Sequence, residues 1–311
     1  MKINSKFLRT VFGLTVFVFL LWLVDLRKVL ATFSNFSVEI IIYLILMSIV
    51  LIYVSAFKWG LFLEVLGGRV PVWRLFRLYI VGYFANLVLP SYLAGDAVRS
   101  WYIGRAVGQH EALAATILER YTGLVAMISL GIAASFLRSF VPWQIKVSMI
   151  LIGLGLVAVF IVALSTRVIG FLERYSLLRP MTKHLFKIQD ALNLARRDCN
   201  LVAKALLFSF AYHLLTVVNT IVAAIAVGWY NPPFFELVVV LPLILVIGAI
   251  PISPNGLGLQ EGAWIFFLQS VGASPAVAMG IAIVLRAKSY LIALFGYFFW
   301  LAEKRPSVCT K

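Results

Sequence analysis

The 311-residue chain is 63% hydrophobic and only 13% charged, with a mean hydropathy of +1.01, which leaves too few polar groups to cover a water-soluble surface. Lys and Arg number 27 against 12 Asp and Glu, a net charge of +15, but the basic residues flank long apolar runs. That arrangement points to anionic lipid headgroups and topology control rather than nucleic acid.

From the N-terminus, Lys2, Lys6 and Arg9 precede an apolar run from Val11 to Val24. No small-x-small cleavage site follows Trp22 to Asp25, so the run is read as a retained first span with its N-terminus inside. A helix needs roughly 20 apolar residues to cross about 30 Å of hydrocarbon. The runs 10–24, 40–57, 112–137, 147–165 and 205–228 qualify, as does 276–302, which holds Arg286 and Lys288. Two shorter apolar runs end in helix breakers: 75–90 closes on Leu89-Pro90, and 235–250 leads into Pro251-Ile252-Ser253-Pro254-Asn255-Gly256.

Charge bias decides what the two short runs do. Segment 166–204 carries Arg167, Arg174, Arg179, Lys183, Lys187, Arg196, Arg197 and Lys204, and so belongs in the cytoplasm. It lands there if 75–90 enters and returns on one side. The same choice puts the uncharged loop Gly228 to Pro233 outside. Lys58, Arg69, Arg74 and Arg77 fall inside on either reading, and Lys304, Arg305 and Lys311 do so if 235–271 is a second hairpin. The expectation is an all-α polytopic membrane protein of six full spans plus two re-entrant helical hairpins, set in the plasma membrane with both termini cytoplasmic. Between the spans, apolar residues recur among the charges of 167–200, which fits an amphipathic interfacial helix or helix pair as well as an ordinary basic loop.

The two hairpins share a pattern. Pro90 is followed by Asp96 after six residues and Arg120 after thirty; Pro254 is followed by Glu261 after seven and Arg286 after thirty-two. Each half, roughly 1–138 and 139–305, reads as two spans, a broken hairpin and one span. The first hairpin enters from the cytoplasm and the second from outside. That is an inverted repeat within a single transmembrane domain, an architecture frequent in transporters with midplane sites.

Charges at membrane depth usually face a cavity or each other. Asp96 and Arg99 lie just past Pro90-Ser91-Tyr92-Leu93-Ala94-Gly95, where a helix start favours an anion, and Arg99 and Arg105 add charge suited to phosphate. Glu119 and Arg120 sit within the span 112–137 about 100° apart on the helix, so each needs a partner elsewhere; Asp96 with Arg120 and Glu119 with Arg99 are the pairs considered. In the second loop, Asn255, Gly256 and Gly258 allow tight backbone geometry and close approach of a ligand. Glu261 opens the next helix within reach of Arg286. Each charge alone fits a structural ion pair as well as function, and the glycines fit plain helix packing. His110, His184 and His213 have no metal spacing, nor do Cys199 and Cys309; His213 suits a buried hydrogen bond. Ser55, Thr116, Ser129, Thr216 and Asn219 suit bonds across helices or to their own backbone. There is no Walker loop, no H-E-x-x-H and no G-x-S-x-G, and no cofactor is expected.

These stretches resemble a known family. Gly82-Tyr83-Phe84-Ala85-Asn86-Leu87-Val88-Leu89-Pro90 with Gly95-Asp96-x-x-Arg99 and Glu119-Arg120 looks like the first signature of a flippase-like membrane domain, the transmembrane region of lysylphosphatidylglycerol synthases and their stand-alone relatives. Pro254-Asn255-Gly256-Leu257-Gly258-Leu259-Gln260-Glu261 with Arg286 looks like the second. One departure is Ala94, where a glycine is expected. The resemblance covers nearly the whole chain and implies lipid translocation. Its partners would be membrane lipids, anionic or polyprenyl-phosphate-linked, with an oligomer allowed. The aminoacyltransferase domain of the two-part synthases has no counterpart in this sequence, so aminoacyl transfer by this chain alone is not expected. On this reading Asp96, Arg99, Glu119, Arg120, Asn255, Gly256, Gly258, Glu261 and Arg286 contact the headgroup. A transferase or hydrolase acting on a lipid-linked substrate, and an accessory subunit of envelope assembly, are the competing readings.

Overall fold

A computed structural model describes residues 5–33, 37–89, 93–137, 143–165, 179–250 and 252–303. Pro90, Ser91, Tyr92, Pro251 and the basic residues Arg167, Arg174, Lys304, Arg305 and Lys311 lie outside them. With so few polar residues to complete its backbone hydrogen bonds, the chain closes them locally as helix. The described residues form α1 (Ser5–Val24), α2 (Leu26–Ala31), α3 (Val38–Val65), α4 (Val72–Val88), α5 (Ala94–Val107), α6 (Gln109–Leu137), α7 (Trp143–Leu164), α8 (Arg179–Arg197), α9 (Cys199–Ala226), α10 (Phe234–Gly248), α11 (Leu259–Gln269) and α12 (Pro275–Glu303). Among them there is no strand.

Short polar residues mark the starts. Ser37 Oγ accepts from the Ile40 amide, Asp198 Oδ1 from Leu201 and Ser274 Oγ from Val277, and Pro275 opens α12 where a missing N–H costs nothing. The departure at Ala94 is accommodated because that residue opens α5 with its methyl buried.

Among the described residues five helices are long and apolar enough to span a membrane: α3, α6, α7, α9 and α12. Six were expected. The run 10–24 is helical, as part of the 20-residue α1, which ends where Asp25 takes a φ of 69°. The short runs form α4 and α5, of 17 and 14 residues, and α10 and α11, of 15 and 11. At 1.5 Å per residue each of these four is about 17 to 26 Å long, less than a bilayer core.

The chain divides into two compact units interleaved in sequence. The first takes 1–52, 76–99 and 214–311; the second takes 53–75 and 100–213. In the first, α10 is apolar on every side and buried from Leu237 to Ile244. Gly258 seats against Gly13 of α1. Along α12, Phe84 of α4 packs on Tyr297 and Trp300. In the second, α7 is as apolar as α10 yet exposed at Leu151, Leu154, Val159 and Ile161, a surface suited to lipid tails. Of the readings open for 167–200, helix pair, single helix or loop, the described part from 179 forms an amphipathic helix, α8, which buries Gln189, Ala191, Leu192 and Ala195 and turns Lys187, Asp190 and Arg197 outward; 167–178 lie outside the described residues. Gln189 Nε2 donates to the Ala163 carbonyl at 3.1 Å.

Candidate functional site

Both helix breaks belong to the first unit. The second break is the better defined. After Gly248 the chain leaves the helix, and Asn255, Gly256 and Gly258 take positive φ values of 48°, 66° and 79°. A Cβ on Gly256 would lie 2.6 Å from the Gly248 carbonyl oxygen; one on Gly258 would lie 2.8 Å from that of Gly13 and 2.9 Å from Val16. The room made by these glycines is filled by the protein's own backbone, so their observed task is close packing of α10, the loop and α1.

Glu261 opens α11. Its Oε2 accepts the Gly258 N–H at 2.7 Å, and its Oε1 accepts from Nε of Arg286 on α12. Nη1 of Arg286 donates to the Asn255 carbonyl and Nη2 to Gln260 Oε1, both at 3.3 Å. The two side chains are 1% and 10% exposed, so the pair is desolvated and its members depend on each other. One arginine therefore ties the loop, the start of α11 and the middle of α12 together. Sequence reasoning brought Glu261 and Arg286 together; Gln260 it missed.

The first break is built in the same manner. Asn86 Oδ1 on α4 accepts the Gly95 N–H at 2.6 Å, meeting one of the orphan donors of the first turn of α5. A Cβ on Gly95 would collide with the Gly82 carbonyl, so α4 and α5 touch backbone to backbone there. Asp96 Oδ1 accepts from Arg99 Nε at 3.1 Å and Nη2 at 3.0 Å, one turn apart on α5. The guanidinium, 1% exposed, also lies 4.0 Å from the Tyr79 ring centre.

The second unit holds Glu119 and Arg120. Glu119 is buried and pairs with Lys58 at 3.2 Å; Arg120, next on the helix, is exposed. Lys58 also donates to Ser209 Oγ at 3.0 Å, and His213 Nε2 donates to the Gly123 carbonyl at 3.0 Å, a hydrogen bond that is part-buried where a buried one was expected. Lys58 is a correction: read as a charge beyond the span 40–57, it is a buried residue of α3, which continues to Val65. The signal was present, since Trp59-Gly60-Leu61-Phe62-Leu63 resumes the apolar run. Ser100 and Thr116 share a hydrogen bond of 2.7 Å across α5 and α6. Arg105 stacks on Trp101, 3.7 Å from the ring centre. Among the described residues no cluster of His, Cys, Asp or Glu is arranged to hold a metal.

The buried pairs and glycine contacts fall within the reach of one family description, the lysylphosphatidylglycerol synthase transmembrane region, whose model matches residues 10–296. The chain belongs to this family. A UPF0104 membrane protein from Pyrococcus horikoshii is 22% identical over 93% of this chain and 94% of its own length. One from Methanocaldococcus jannaschii is 21% identical over 91% and 90%. A third, from Methanothermobacter thermautotrophicus, is 23% identical over 79% and 81%. As a member of the synthase transmembrane-region family the chain is a membrane protein with a lipid-related role. The family match covers both helix breaks, Asp96–Arg99 and Glu261–Arg286 included.

Proposed function

We propose that this protein translocates a polar or anionic lipid, passing its headgroup between the leaflets while the tails stay in hydrocarbon. In this reading α1 completes a set of six spans, α4–α5 and α10–α11 are re-entrant hairpins of an inverted repeat, and both termini face the cytoplasm of a cell membrane. The observation that carries it is the buried Glu261–Arg286 pair at the break between two helices too short to cross a bilayer. Its chemistry suits an anion. The two 3.3 Å bonds of Arg286 to neutral oxygens are long, so a phosphate can replace them while Nε stays with Glu261. Arg99 and, in the second unit, Arg120 are the further phosphate contacts proposed, Asp96 and Glu261 orient the arginines or carry a proton, and Asn255, Gly256 and Gly258 shape the loop.

The test is translocation of fluorescent phosphatidylglycerol in proteoliposomes, followed by dithionite quenching. Activity above protein-free vesicles that is lost in Arg286→Ala and Asp96→Ala supports the proposal. Wild-type protein that moves no anionic lipid, or that converts a lipid donor to product without moving it, would sink it, and the second result would favour the transferase or hydrolase reading.

A further inference from the structure

Lys288 lies near the middle of α12, thirteen residues after Pro275 and fifteen before Glu303, or about 20 Å from either end at 1.5 Å per residue. A lysine stem is far too short to reach the interface from there. The residue stands on the side of the helix that carries Ile281, Val284 and Ile292, which are 0%, 5% and 6% exposed, so it faces protein rather than tails. Its ammonium donates to Asn219 Oδ1 on α9 at 3.0 Å, and Asn219 is itself buried.

Lys288 is part-buried, and three other cations that the described residues bury or part-bury have anions. Lys58 has Glu119, Arg99 has Asp96 and Arg286 has Glu261. Among the described residues Lys288 meets no carboxylate, only a neutral amide oxygen. Taking an ammonium even partly out of water without an anion costs free energy, and such a residue in the middle of a span points to a ligand path. Lys288 is also two residues from Arg286, about 200° around the helix, so it is not a spare partner for Glu261.

We propose that Lys288 and Asn219 form an oxyanion site whose occupant, a phosphate group, supplies the missing negative charge. Lys288 contributes the charge and two further N–H donors; Asn219 holds the ammonium in place. The part this site plays in transport rests on the translocation reading, whereas binding does not. Two carriers offer the same chemistry: the phosphodiester of an anionic lipid and free phosphate.

The test uses the full chain in nanodiscs of phosphatidylcholine and phosphatidylglycerol in equal parts. Lipid retained through detergent extraction is quantified by mass spectrometry, with inorganic phosphate as competitor. Wild type retains phosphatidylglycerol preferentially; Lys288→Gln lowers that retention about tenfold, as for one charge-assisted hydrogen bond, and Lys288→Arg keeps it. Asn219→Asp is the discriminating variant. It installs a counter-ion beside Lys288, so it preserves folding and thermal stability while lowering phosphatidylglycerol retention as Lys288→Gln does. Displacement by inorganic phosphate assigns the site to the free ion, and resistance assigns it to the headgroup. Unchanged phosphatidylglycerol retention in Asn219→Asp, or no preference in wild type for either carrier, overturns the site. Retention without dithionite-detected translocation removes the transport reading and leaves the site standing. Translocation with retention unchanged in both variants does the reverse.

Discussion

Replacing Glu261 by leucine removes the anion from a guanidinium that is 10% exposed and the acceptor from the buried Gly258 N–H. Breaking a buried pair on one side costs about 3–5 kcal/mol, and orphaning the amide adds roughly 1–3 kcal/mol. Arg286→Leu leaves a carboxylate that is 1% exposed, for another loss of about 3–5 kcal/mol. The double variant strands no charge, only the Gly258 N–H and the Asn255 and Gln260 oxygens that long bonds to Arg286 had held, so its loss is about 2–6 kcal/mol rather than the roughly 7–13 kcal/mol of the two singles added. The coupling between the residues is then about 4 kcal/mol or more. Reversible unfolding in mixed micelles of rising dodecyl sulfate content, followed by circular dichroism, measures all four corners of the cycle. A double variant as unstable as the two singles combined would refute the idea that each charge is held by the other.

Gly256→Ala and Gly258→Ala meet backbone oxygens at 2.6 and 2.8 Å in addition to positive φ, so each loses about 3 kcal/mol or more, read as a lower unfolding midpoint. Gly228→Ala, at φ 89° with nothing within 4 Å, loses only about 1–2 kcal/mol in the same assay. Lys58→Met strands buried Glu119 and loses about 3–5 kcal/mol, and adding Glu119→Met restores part of it; an additive double variant counts against the pair. Cys199 is exposed at the start of α9. In a Cys309→Ser background a membrane-impermeant maleimide labels it in inside-out vesicles and not in right-side-out ones, and the opposite pattern overturns the proposed orientation.

Hydropathy located eight of the twelve helices of the described residues, because the absence of water for the backbone leaves few alternatives to helix within apolar runs, and missed α2, α5, α8 and α11. It did not tell α7 from α10. Both are mostly apolar, yet α7 is exposed at Leu151, Leu154, Val159 and Ile161 while α10 is buried from Leu237 to Ile244. Transfer free energy rewards leaving water and is nearly indifferent to whether tails or side chains take its place. The ends of apolar runs misled for a related reason. Lys58 looked like the edge of a span because a charge is expected to leave the membrane; it stays because Glu119, sixty-one residues later in sequence, meets it. Such long-range pairing has no local signature. Glu261 with Arg286 was legible because a proline–glycine break fixed where a helix starts, and the spacing to a lone arginine in the next span did the rest.

The two breaks show why polar residues gather there before any ligand is considered. A helix interrupted inside a membrane exposes backbone donors that lipid cannot satisfy. Asn86 takes the Gly95 N–H and Glu261 takes the Gly258 N–H, and each is then locked by its surroundings. Part of each cluster thus has a task in folding, so the proposed translocation test compares Arg286→Ala and Asp96→Ala with wild type at equal amounts of folded protein. Lys288 differs in kind. It satisfies no backbone group among the described residues and has no carboxylate to neutralise, only the Asn219 amide. A cation that the described fold answers only with a neutral amide oxygen is where ligand chemistry separates from structure. Supplying its counter-ion from within, as Asn219→Asp does, is therefore a sharper probe of function than removing any of the paired charges.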